Sequence, residues 1–190
     1  MQDKLNNGGD LRVVLFVSRN KDNKNVDSFE QRKETFVSTR EVGTPKMQAE
    51  FERFVQAGVA GEMSRMYVSV NRRDNSKVVR ELQHYLLDNP DTPVARLTLK
   101  LASLAAQKQN AAESKWLFDY DADKADLDKF LDDLVGCGLD KSEVQVHPTP
   151  NGAAVVVEHG FDTRHLLNKW EDVELKRDDM LLVKWETKKT

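Results

Sequence analysis

Only one cysteine, Cys137, occurs in 190 residues. That excludes an intrachain disulfide and a cysteine-based metal site, and it suits a reducing compartment. Cys137 lies in Gly-Cys-Gly, where a small buried or turn residue is expected. No apolar run is long enough to span a bilayer. The first ten residues, Met-Gln-Asp-Lys-Leu-Asn-Asn-Gly-Gly-Asp, hold no apolar signal core, so a cytoplasmic location and no membrane partner are expected. The charge balance has little of either sign: 29 Lys and Arg against 32 Asp and Glu leave −3. Any nucleic-acid contact must therefore come from a local basic patch, because bulk charge does not favour a polyanion. There is no His-x-x-x-His, Cys pair, Walker loop or Gly-x-Ser-x-Gly, and His84 and His147 have no partner at ligand spacing. Internal repeats, low-complexity tracts and interdomain linkers are also missing.

The composition that remains is 39% apolar and 32% charged, as in a globular protein, and the length fits a single domain, 1–190, with frayed ends at 1–10 and 187–190. Strands are expected at Arg12–Ser18, Glu34–Val42, Arg65–Asn71, Glu143–His147, Ala153–Glu158 and Met180–Trp185, from β-branched runs and period-two alternation. Helices are expected from Pro45 with Thr44 as N-cap, over Ser76–Leu87, Val94–Gln107 and Lys124–Val135, and from Asp162 to about Trp170. Mixed strands and helices without regular alternation argue for an α+β fold. The sheet is expected to be antiparallel or mixed, with helices mainly on one face and the other face more open.

Lys115–Asp123 (Lys-Trp-Leu-Phe-Asp-Tyr-Asp-Ala-Asp) concentrates the most chemistry. As a strand it puts Trp116, Phe118 and Tyr120 on one face, against helices, and Leu117, Asp119 and Asp121 on the other. Two carboxylates one dipeptide apart, about 6.5–7 Å, suit one or two hard divalent cations with phosphate oxygens between them. An EF-hand calcium loop is excluded, because its sixth and twelfth positions would be Lys124 and Phe130. An aspartyl-phosphate phosphatase of the haloacid-dehalogenase type would need Thr or Val where Asp123 stands, and more chain after it. Two readings stay open. In one, the carboxylates are solvated or paired at a strand end, with Asp123 capping the next helix and Asp126 in its first turn. In the other they form a metal-dependent nucleotidyl-transfer site.

Further on, Thr149-Pro150-Asn151-Gly152 turns into a Val-rich strand, and Gly160-Phe161-Asp162-Thr163-Arg164 leads into a helix. With Phe118-Asp119-Tyr120-Asp121, this ordered pair of motifs resembles primase–polymerase domains of the archaeo-eukaryotic primase superfamily, over roughly residues 113–170. The chain as a whole also looks like small proteins of bacteriophage type. The resemblance implies a palm of the RNA-recognition-motif kind and catalytic Asp119 and Asp121 holding Mg²⁺ or Mn²⁺. It also implies a nucleotide-binding histidine on the strand after the turn. That position falls near Ala154 or Val155, with His159 nearby as a substitute or a surface residue. The third acidic residue is open: Asp162 also reads as a helix cap, and Asp178 and Asp179 as a hairpin turn.

Candidate phosphate-binding groups are Arg65, Tyr67, Arg72, Arg73 and Lys77 in one group, Arg164, His165 and Lys169 in another, with Thr149, Asn151, Gly152 and His159 beside the turn. An arginine and an aromatic on an open sheet face can grip a phosphate and stack a base. The Arg65–Asn71 strand is therefore expected beside the acidic strand, with Arg65 and Tyr67 on the face of Asp119. Two functions follow as expectations. One is a nucleotide or nucleic-acid-handling protein with a primase–polymerase-like metal site; the other is a non-catalytic binding module of the same fold, acting on nucleic acid or a host protein.

Overall fold

A computed structural model describes residues 10–40 and 43–189. The expected fraying of residues 1–9, the Val42 end of the second strand and the last residue, Thr190, lie outside the described residues. The fold is α+β, with two four-stranded antiparallel sheets. The chain divides into two compact units, residues 1–113 with 182–190 and residues 114–181.

In the first unit, β1 (Arg12–Ser18), β2 (Arg32–Ser38), β3 (Met63–Ser69) and β8 (Met180–Thr187, its last six residues in this unit) are ordered β2-β1-β3-β8. The helices are α1 (Pro45–Gln56), α2 (Asn75–Asp88) and α3 (Leu97–Ala105). Val14 and Phe16 share a face with Val68 and Met66, to which they are paired. Phe16 meets Phe51 and Phe54 of α1 edge-on or tilted, with ring centroids 5.4 and 5.7 Å away. Met47 and Val55 complete the buried stripe of the helix. Pro45 starts α1 as expected, but the Thr44 hydroxyl makes no cap bond and is buried without a partner. Asp74 is a working cap, accepting from the backbone N–H of Ser76 and Lys77. The end of β8 does not fray at once: Lys188 exchanges backbone bonds with Gly61 and Glu62, and its ammonium reaches the Gln56 and Gly58 carbonyls.

The second unit holds β4 (Lys115–Tyr120), α4 (Leu127–Gly136), β5 (Gln145–Pro148), β6 (Ala153–Glu158), α5 (Arg164–Lys169) and β7 (Val173–Lys176), in sheet order β5-β6-β4-β7. Phe118, Tyr120, Val155 and Val157 lie under Phe130 and Leu134 of α4 and Leu166 of α5. Trp116 packs against the same cluster while half-buried. The period-two pattern of the aromatic strand thus directs its faces as expected. The other face carries Leu117, Ala154 and Val156, which are also buried.

Candidate functional site

Asp119 sits in the middle of a row that crosses the second sheet. The ladder sets His147 opposite Ala154, Ala154 opposite Asp119, and Asp119 opposite Glu174. Like charges directly opposite each other repel, and the neighbouring row resolves the conflict. There Lys176 lies opposite Leu117, and it reaches diagonally so that its Nζ is 2.7 Å from Asp119 Oδ2, 3.6 Å from Glu174 and 4.0 Å from Asp179. Burial alone would lower the Lys176 ammonium, but the hydrogen bond to Asp119 and the surrounding carboxylates hold it above its ordinary value. The side chains of Asp119 and Lys176 are 33% and 26% exposed, so the pair borders solvent.

Sequence reasoning missed both β7 and Lys176. The signal was Val173-Glu174-Leu175-Lys176, a short alternation just before the Asp178-Asp179 turn. Four residues are too few to stand out, yet this strand supplies the cation that Asp119 needs.

Asp121 is placed differently. The strand ends at Tyr120, and Asp121 is exposed beyond it, its N–H donating to the Asp172 carbonyl at 3.1 Å. Asp123 caps the following turn by accepting from the Ala125 N–H at 2.9 Å, as one of the two open readings expects. Asp126 takes the ammonium of Lys129 at 2.6 Å. Among the described residues, no group of three or more His, Cys, Asp or Glu side chains is arranged to hold a metal ion.

The turn motif does come next to the acidic strand. Tyr120 is paired with Ala153, so Gly152 lies over the strand end, and a Cβ there would overlap the Tyr120 carbonyl oxygen. Only glycine fits such an approach. The Thr149 hydroxyl is turned inward, accepting the Gly152 N–H at 3.0 Å, and Asn151 is exposed. Ala154, one of the two positions to which the resemblance assigns a histidine, is directly across from Asp119. Val155 faces the core. His159 lies past the end of β6 and meets the Trp116 ring at 6.3 Å, on the aromatic side of the sheet rather than the Asp119 side. His147 is half-buried; burial lowers its pKa, and its Nε2 has no partner.

The expected neighbour is elsewhere. β3, with Arg65 and Tyr67, belongs to the first sheet and β4 to the second, so the strands are not adjacent. Their hydrophobic patterns match, but a period-two pattern assigns faces and not sheet membership. Arg65 and Tyr67 do share a face, as expected from alternation, paired with Val17 and Leu15 of β1. Arg65 donates to Asp22 at 2.6 Å, and both side chains are largely buried. Arg72 contacts Asp10 and Glu113, and Arg73 is 2% exposed. Lys77 reaches the Gln109 carbonyl. Arg164 is clamped to Asp162, whose carboxyl is held down to about 2 by that guanidinium and by the Arg164 N–H. Lys169 pairs with Asp133 at 2.6 Å.

Compared with models of known families, with curated proteins and with solved structures, the chain gives no significant match.

Proposed function

We propose that this chain is a non-catalytic binding module whose partner is another protein. The observation that carries the reading is the Lys176–Asp119 ion pair, which puts a cation of the protein's own where a divalent metal would bind. The other cations point the same way. Arg65, Arg72, Arg164 and Lys169 each face a carboxylate of this chain, so a phosphate would have to displace an existing partner. Ala154 has no polar side-chain atom to hold a triphosphate, and it stands directly beside Asp119.

A thermal melt with and without millimolar Mn²⁺ tests this. The wild-type midpoint is expected to stay put with metal. Asp119→Ala is expected to lose about 0.5–1 kcal/mol, as for a half-exposed pair. A midpoint that rises with Mn²⁺ in the wild type and not in Asp119→Ala would overturn the reading, since a ligand of the folded state raises its stability by mass action. At low salt, a labelled single-stranded oligonucleotide is expected to show no anisotropy change. Salt-sensitive binding would instead favour a polyanion partner.

One observation favours a second reading. The close packing of Gly152 on the Tyr120 carbonyl brings the Thr149–Gly152 turn to the acidic strand end. This is compatible with a primase–polymerase-like palm in which Asp119 and Asp121 hold Mg²⁺ or Mn²⁺ once Lys176 swings away. The Mn²⁺ melt separates the two readings.

A further inference from the structure

The geometry points to a binding site in the first unit for a guanidinium or ammonium group on an apolar stem, in particular an arginine side chain of a protein partner. A cavity of about 340 Å³ opens between β1, β2 and α1. Phe16, Phe36 and Phe54 contribute aromatic wall, and Glu34, Glu50 and Arg53 contribute charge. The size lies at the small end of ligand pockets and suits one long side chain rather than a length of peptide. Phe16 stands edge-on to Phe36 at 5.2 Å and tilted to Phe54 at 5.7 Å, so the rings form one angled wall.

Charge decides the class of ligand. The lining carries Glu34, Glu50 and Arg53, and Arg40 already holds Glu50, so Glu34 is the lining carboxylate with no ion pair among the described residues. An apolar guest would desolvate Glu34 without compensation. An anion could pair with Arg53 but would meet Glu34 and the negative faces of the rings. A planar cation avoids both penalties, because it stacks on an aromatic face and donates to carboxylate oxygens at its edge. Glu50 already receives one such bond, from Arg40 to its Oε1 at 3.1 Å.

The protein itself shows the pairing chemistry on Phe54, one of the lining rings. The Arg32 guanidinium lies 4.4 Å from the centroid of the Phe54 ring while donating to the Glu62 carboxylate. A ligand cation between Phe36, which is only partly buried, and Glu34 would repeat that arrangement with a group supplied from outside. That the cation comes from a protein rests on the binding-module reading; the existence of the site does not.

NMR titration of the full chain tests it, with butylguanidinium and acetyl-Gly-Arg-Gly-amide as probes and butyrate as control. Both cations are expected to shift the Glu34, Phe36 and Phe54 amides saturably, while butyrate does not. Glu34→Gln is expected to weaken the peptide at least fivefold, and Arg53→Ala to tighten it about threefold, because one removes an attraction and the other a repulsion. Both positions are exposed, so folding should survive; a melt of each variant checks this. Butyrate binding as well as butylguanidinium, an unchanged Glu34→Gln, or a weaker Arg53→Ala would overturn the site. Spermidine binding more than tenfold tighter than the peptide would overturn the protein source and keep the site. None of these outcomes depends on the Mn²⁺ melt, so the two readings fail separately.

Discussion

The Arg32–Glu62 pair of the first unit and the Lys176–Asp119 pair of the second each set an acid on a base beside a sheet, and the two are built differently. Glu62 is 2% exposed. It takes two bonds from Arg32 on Oε1 and one from the Val59 N–H on Oε2. Burial pushes its carboxyl up, but bonding with Ser18, Arg32 and Val59 outweighs that and holds it below the ordinary value. Asp119 is a third exposed and receives a single bond, from Lys176. A fully bonded, dry carboxylate has nothing left to offer a ligand. A half-wet carboxylate with one flexible lysine partner can exchange that partner for another. The first pair therefore holds the fold, and only the second is placed to respond to something outside.

The contrast extends to the glycines alongside. A Cβ on Gly58 would lie 2.5 Å from Glu62 Oε2 and 2.6 Å from Arg32 Nη2, which are side-chain ends. On Gly152 it would meet the backbone of Tyr120, which cannot step aside. Gly152→Ala is therefore expected to be the most damaging change, costing about 3 kcal/mol or more by overpacking. Urea unfolding measures it. A loss below 1 kcal/mol would mean that the turn can rise off the strand and that the two regions are equally pliable.

Next comes Glu62→Gln, expected to cost about 2–4 kcal/mol, because it breaks a bonded ion pair that is dry on one side. It also carries a pH signature. A carboxyl held below its ordinary 4.5 contributes stability above that pH, and the contribution is lost as pH falls through the folded value. Wild type should lose stability on acidification faster than Glu62→Gln. Parallel acid curves would remove the distinction drawn between the pairs.

Lys176→Met should have the smallest effect, about 0.5–1 kcal/mol after discounting for solvent screening, and 0.5 M salt should shrink it further. Its pH dependence has the opposite sense. An ammonium held above 10.5 contributes stability that is complete below that pH and fades as pH rises through the folded value. An alkaline melt series of wild type and variant checks this. A cost as large as that of Glu62→Gln would show that the exposed pair is structural after all.

Most elements could be read from the chain. Arg12–Ser18 and Ala153–Glu158 form strands with the expected limits, because β-branched runs between turn residues allow little else. The third strand lies two residues earlier than its alternation suggested, at Met63–Ser69. The Val94 and Lys124 helices each open with one 3₁₀ turn before becoming α-helical. At the candidate site, the facing of Trp116, Phe118 and Tyr120 and the Asp123 cap were legible, since both are local. What compensates Asp119 was not, because Lys176 is 57 residues away.

Alternation along a strand is local chemistry, so the sequence by itself determined that Asp119 turns away from Phe118 and Tyr120, and that its charge needs an answer. It also determined that a glycine closes the turn before Ala153, since Thr-Pro-Asn-Gly has few other conformations. Which strands lie side by side is not local. Sheet membership follows from which apolar faces can be buried together, and β3 and β4 carry similar patterns that end in different sheets. Only the tertiary structure paired β4 with β6 and β7, and so decided that the neighbours of Asp119 are Ala154, Glu174 and Lys176 rather than Arg65 and Tyr67.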